Sequence, residues 1–417
     1  MDRKMSRRSV LITAGAAGAG VALGAAGYTL NSLNNHHTSG TQTSAGQNAI
    51  PFYGTHQAGI ATPAQNNLHF AAFDLLTTSR DDVRALLQIW TDAAATMTSG
   101  QPLGEGAPSL TAPPADTGEA LEYGPENLTI TIGFGPTLFT LNGQDRYGLA
   151  ARRPDALIDL PPMPREELDP DQSGGDLCVQ ACADNPQVAF HAVRNLARLA
   201  RGIAVMRWSQ LGFSRTASTS TGQETPRNLM GFKDGTDNLK AEQTALFDKY
   251  VWVHEPAWMQ GGSYVVTRRI RMRIEAWDRD ILGDQEKVIG RYKVSGAPLG
   301  QTREFDPVDL NAKGPDGTPV IPLNAHIRLA IGDGTIKILR RGYSFTDGMD
   351  PQTGELVAGL FFIAFQQDPR TQFVPLQMRL AQEDALNEYI VHVGSAIFAC
   401  PPGVQEGGYL GQMLFDG

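Results

Sequence analysis

Two stretches of this chain follow one plan. LCVQACADNPQVAFHAVRNLA begins at Leu177 and LFFIAFQQDPRTQFVPLQMRLA begins at Leu360. Each reads as an apolar run short enough for a buried strand, then a corner rich in Asp and Pro, then a segment with an apolar helical face. Solenoid units recur every 20–50 residues or so, and this separation is far longer. The pattern therefore implies two α+β halves, each an antiparallel sheet with helices packed on one face.

The other periodic segments fill in the same halves. LHFAAFDLL predicts a strand, residues 81–97 an amphipathic helix and residues 127–135 an alternating strand. Residues 99–122 are too rich in Gly and Pro for a regular element. Further on, residues 263–277 alternate as a strand and residues 336–345 supply another. The expected division is a first half at 51–225 and a second at 226–417. With 41% hydrophobic and 19% charged residues the composition is that of a globular chain. The 35 basic and 44 acidic side chains leave a net charge of −9 with no long run of one sign, which speaks against nucleic acid as a partner.

The first 30 residues read as a targeting segment. Arg3, Lys4, Arg7 and Arg8 give a basic start, and SRRSVL carries the paired arginines of twin-arginine export. The apolar run from Val10 to Leu30 is long enough to span a bilayer but consists mostly of Gly and Ala, which makes a weak anchor. The expectation is export to the periplasm, the cell surface or the medium, with no stable membrane span afterwards. Residues 31–50 read as a flexible linker, and its His36 and His37 take no role.

Three cysteines, Cys178, Cys182 and Cys400, cannot all pair. On a strand Cys178 and Cys182 lie roughly 13 Å apart, too far for a disulfide, so they read as buried structural thiols. Periodicity does not choose a metal ligand among the histidines. His69 falls in a strand, His191 and His392 in expected helices, and His56 and His254 in loops.

Residues 228–239, NLMGFKDGTDNL, have neither helical nor strand period, so Asp234 sits in a tight loop next to Gly235. GFKDGT followed by Asn238 resembles the signature loop of the dye-decolourising peroxidases, a family of haem b enzymes. AHIRLA around His326 and ILRRGYSF around Arg340 resemble two further segments of that family. The resemblance, which runs from about Pro51 to the C-terminus, implies two ferredoxin-like halves in a barrel-like arrangement within one chain.

It also implies the site. His326 becomes the axial ligand of the haem iron, with a carboxylate the sequence does not identify on its other ring nitrogen. Asp234 becomes the acid–base that moves a proton between the two oxygens of hydrogen peroxide. Adjacent residues of a strand face opposite ways, so only one of Arg340 and Arg341 can face the haem. The family pattern favours Arg340, as the charge-stabilising and haem-contacting residue. Asn238 becomes a hydrogen-bonding residue of the pocket, and Gly235, Thr236 and Asp237 line the haem through the loop backbone. An ordinary Asp accepts a proton at neutral pH but donates poorly, so activity is expected to peak at acidic pH.

The implied activity is oxidation of dyes, phenolics or porphyrin-type reductants by hydrogen peroxide. The leader and length resemble the iron-uptake-associated subclass, which admits a role in iron release from haem or ferrous oxidation, iron-uptake partner proteins and a homo-oligomer. A haem-binding iron-acquisition protein without turnover is the alternative, and a cofactor-free scaffold a third.

Overall fold

The computed structural model describes residues 48–104 and 110–417. The leader at 1–30, most of the linker at 31–50 and both linker histidines lie outside the described residues. Eleven strands are found among them: β1 (Asn67–Leu75), β2 (Thr129–Phe134), the small hairpin β3 (Thr140–Leu141) and β4 (Gln144–Asp145), β5 (Leu177–Ala183), β6 (Ala204–Arg215), β7 (Ser263–Met272), β8 (Leu339–Arg340), β9 (Tyr343–Met349), β10 (Leu356–Gln366) and β11 (Ile390–Cys400).

The first half has strand order β6-β1-β5-β2, crossed by helices Arg80–Thr98 and Pro186–Leu199, which is the β-α-β-β-α-β ferredoxin-like plan. The second half repeats it as β9-β10-β7-β11, with helix Phe373–Glu383 as its second crossover. Antiparallel pairing of β11 with β2 and of β6 with β9 joins the two sheets into a closed barrel. These seams are thin: Ala399 opposite Phe134 on one side, and Phe213 opposite Ser344 with Arg215 opposite Tyr343 on the other. The expected α+β class with two ferredoxin-like halves is the observed one.

Burial on both faces explains the apolar runs. On β1, Leu68, Phe70 and Ala72 enter the cluster inside the barrel with Trp208, Phe361 and Phe398. The alternate residues Ala71, Phe73 and Leu75 meet the outer helices, where the Phe73 ring lies 5.2 Å from that of Trp90. Each such side chain contributes on the order of 1.5–3 kcal/mol by leaving water. Cys178 and Cys182 are free and buried, as read from the sequence, and so is Cys400. Gly133 leaves room for two of them, since a Cβ there would lie 2.9 Å from the Cys178 sulfur and 3.0 Å from that of Cys400.

The corners of the two repeated segments differ. Asn185 caps the first helix by accepting the N–H of Gln187, with Pro186 as the first helical residue. The second helix starts only at Phe373, because Asp368 caps an intervening turn through Arg370 N. Three expectations need correction. The strand expected at 263–277 ends at Met272 and gives way to the helical turn Ile274–Trp277. The strand expected at 336–345 begins at Leu339 and is interrupted at Arg341 and Gly342, whose carbonyl accepts from Thr216 N instead. His392 lies in β11, where Val391 pairs with Arg271 of β7, and not in a helix.

Candidate active site

Residues 226–234 form a short hairpin. Arg227 bridges Lys233, Asn228 N donates to Phe232 O at 3.0 Å, and Asp234 N donates to Pro226 O at 2.9 Å. The side chains of Met230 and Phe232 anchor the hairpin in a small cluster with Trp277, Leu386 and Tyr389. Gly235 follows with φ +92°, and a Cβ on it would lie 2.8 Å from Ala217 Cα. Only glycine meets both conditions, so the chain turns there and leaves the Asp234 carboxylate at the loop's edge, 17% exposed.

Arg340 comes to the same point from β8. It lies opposite Ala364 of β10 and so shares the outer face of the second sheet with Phe362, which packs on Phe373 of the outer helix. Arg341 faces inward, fully buried, where it donates to Thr62 O and to Gln65 Oε1. One arginine alone therefore faces the pocket, as strand alternation requires. Arg340 Nη1 donates to Asp234 Oδ1 at 2.6 Å, and Asn228 Nδ2 donates to Asp234 Oδ2 at 3.2 Å. Asn238 is 6% exposed and spends its side chain on backbone: Oδ1 accepts from Arg340 N, and Nδ2 donates to Arg340 O and Ser218 O.

His326 opens the helix His326–Ile331. Its Nδ1 meets Asp384 Oδ2 at 2.6 Å, and Asp384 is 2% exposed. Asp384 ends helix Phe373–Glu383 and caps the next turn through Leu386 N, while Ala385 N donates to Asn324 O. Burial pushes the His326 pKa down, but the Asp384 carboxylate outweighs it and holds the pKa above its ordinary value. Asp234 adds to that upward pull and Arg340 opposes it, so both charges are felt at the imidazole. Leu386 and Tyr389, just past Asp384, pack in the cluster that anchors the Asp234 hairpin. A single apolar patch thus fixes both sides of the site.

Not every expected residue points at the pocket. Thr236 Oγ1 donates to Glu304 Oε1 at 3.1 Å, and Asp237 is an exposed residue 3.6 Å from Lys337 Nζ. If these two line a cofactor, they do so through backbone alone. His69 and His392 are buried, His56 stacks on Trp252, and His191 fastens Asp116. Sequence reading left out two residues of the site. Asn228 stood in the quoted loop without a role, and Asp384 carries only the signal of an Asp that closes one helix and caps the next turn.

The donor set suits a prosthetic group that brings its own metal ligands. No group of three or more His, Cys, Asp or Glu able to hold a bare ion is found among the described residues. His326 instead offers a single imidazole, donating at Nδ1 and leaving the Nε2 lone pair open. Its side chain is 33% exposed, so protein atoms do not close it off.

Comparison with known proteins agrees. The family model described as Dyp-type peroxidase, N-terminal, matches residues 57–214, and the one described as Dyp-type peroxidase, C-terminal, matches residues 225–405. The chain is 39% identical to a deferrochelatase of Yersinia pseudotuberculosis, covering 99% of this chain and 95% of that protein. It is 42% identical to a dye-decolorizing peroxidase of Thermobifida fusca, covering 87% and 84%. Ferric DtpA from Streptomyces lividans superposes with a TM-score of 0.82 at 42% identity, covering 90% of this chain and 99% of the other. With one open imidazole, a paired arginine and aspartate, and both halves matched, this chain belongs to the Dyp-type peroxidase family and is a haem peroxidase.

Proposed function

We propose that the protein is an exported peroxidase that oxidises dyes, phenolics or porphyrin-type reductants, with a place in iron acquisition through iron release from haem or ferrous oxidation. The Arg7–Arg8 leader supports export by the twin-arginine route, and relatives named deferrochelatase support the link to iron. No helix among the described residues is long and apolar enough to cross a membrane. We take the halves to divide between residues 225 and 226.

In this reading His326 Nε2 holds the haem b iron, and Asp384 keeps the proton on Nδ1 so that the lone pair stays on Nε2. Haem bound there would supply the redox chemistry, two electrons for hydrogen peroxide replaced one at a time by the reductant. Asp234 takes a proton from one peroxide oxygen and returns it to the other, which leaves as water. The Arg340 guanidinium stays protonated and stabilises negative charge on the departing oxygen. Asn238 contributes by holding Arg340 in place. Gly235 shapes the loop, and the backbone of Thr236 and Asp237 borders the haem.

The observation that carries this reading is the 2.6 Å contact of Arg340 with Asp234, two groups that a mere haem carrier does not need. Purified protein tests it by absorption before and after peroxide. His326→Ala is expected to lose the Soret band, while Asp234→Asn and Arg340→Leu keep it and lose turnover. Undiminished turnover in the last two variants would leave a haem-binding protein without this catalytic apparatus.

A further inference from the structure

The loop that carries Asp234 is gripped from outside by one half-buried carboxylate. Glu304, from the long connection between helix Leu282–Ile289 and His326, is 9% exposed. It pairs with Lys233 Nζ, accepts from Thr236 Oγ1 at 3.1 Å and bonds the Thr225 hydroxyl. Burial pushes its pKa up, and the hydrogen bonds from Lys233, Thr225 and Thr236 together outweigh this and bring it below the usual value. Lys233 immediately precedes Asp234, and Thr236 lies two residues after it.

Glu304 is itself fixed. Its carbonyl accepts from Arg291 Nη1 at 3.1 Å, and the same nitrogen donates to Gly296 O at 2.8 Å. Lys233 has little room to leave, since a Cβ on Gly296 would lie 2.7 Å from its Cδ. On the opposite side Gly235 rests against Ala217. The Asp234 backbone is thus held between the barrel end and a carboxylate clamp.

We propose that Glu304 is a positioning residue for peroxide cleavage, setting where the Asp234 carboxylate meets its substrate. The proposal rests on the catalytic reading of Asp234. A reacting group displaced by about 1 Å can lose on the order of 100-fold in rate, and Glu304 bonds the residues on both sides of Asp234.

The test is a double-mutant cycle on the haem-loaded enzyme. Glu304→Ala is expected to lower kcat/KM for hydrogen peroxide by about 10- to 100-fold, with the Soret band and the KM for the reductant unchanged. Glu304→Gln, which keeps an acceptor for Thr236, recovers part of the loss. Thr236→Val, which removes one arm of the clamp, gives a smaller loss and serves if Glu304→Ala does not fold. In an Asp234→Asn background none of these changes lowers the rate further, because the clamp acts through Asp234. Equal losses in both backgrounds, or no loss at all beside an inactive Asp234→Asn, overturn the role of Glu304. Full activity of Asp234→Asn itself overturns the Asp234 reading and this proposal with it.

Discussion

Asn238 holds Arg340 by both of its backbone polar groups. Its Oδ1 accepts the Arg340 N–H at 2.8 Å and its Nδ2 donates to the Arg340 carbonyl at 2.8 Å, so one amide side chain pairs with β8 as a neighbouring strand would. The arginine that faces the pocket is thereby tied to the loop that carries Asp234, four residues before Asn238.

Asn238→Leu removes both bonds and leaves two backbone groups of Arg340 unpaired, at roughly 1–3 kcal/mol each where water cannot reach them. We expect the guanidinium to lose its fixed position and kcat/KM for hydrogen peroxide to fall by about 10- to 100-fold, with haem retained. Asn238→Asp keeps the acceptor and loses the donor, so it falls between. Steady-state kinetics beside the Soret intensity checks this, and unchanged kinetics in Asn238→Leu counts against the role.

Asp384 accepts a hydrogen bond from His326 Nδ1 and caps Leu386 N with its other oxygen. Asp384→Asn can still accept that hydrogen bond but carries no charge, so the imidazole becomes a weaker base towards iron. The expected outcome is haem affinity about 10- to 100-fold lower and a more positive reduction potential. Titration of the apoprotein with haemin and a spectroelectrochemical midpoint measure the two effects. A potential equal to that of the unchanged protein argues against Asp384 as the partner of a ligating imidazole.

What the sequence disclosed follows from how local each cause is. The strand–corner–helix repeat was readable because β5 is buried on both faces and β10 is buried or half-buried from Ala358 onward, so apolar runs mark them without reference to any partner. The choice between Arg340 and Arg341 was readable as a choice, because alternation is local, although only the register opposite Ala364 shows which faces out. Asp384 was not readable, since nothing in AQEDALNEY records that folding brings it to His326. His392 was misread because β-branched neighbours in IVHVGSAIFAC fit either period until pairing with β7 decides. The roles of Asn228 and Asn238 required the loop to be folded, since both act on groups presented by its own turns or by β8.

Gly235 sits at φ +92° against Ala217. Gly235→Ala adds a side chain to a left-handed residue and also closes a 2.8 Å gap to the Ala217 Cα, so strain of about 1–3 kcal/mol is expected. Because Asp234 is the adjacent residue, relief of that strain moves the carboxylate. The expected result is a lower unfolding midpoint together with lost peroxide turnover, measured by thermal denaturation and kinetics on the same preparation. A variant as stable and active as its parent would show that the loop relaxes without moving Asp234.

His69 and His392 are expected to make the fold sensitive to acid. Burial pushes the His69 pKa from 6.5 to about 4, and burial with the nearby Arg268 pushes that of His392 to about 3. Arg268 Nε donates to His392 Nδ1 at 3.3 Å, so that nitrogen serves as an acceptor and the ring is held neutral. In the unfolded chain both rings take up protons below pH 6.5, while in the folded chain they do not until pH 3–4. Their contribution is therefore complete above 6.5 and is lost as pH falls towards the folded values. At pH 5 each histidine should have removed about 2 kcal/mol of stability. His392→Gln has no proton to gain, so the difference in urea unfolding free energy between pH 7.5 and 5 should shrink by about 2 kcal/mol in that variant. An undiminished difference would assign the acid sensitivity to the carboxylates instead.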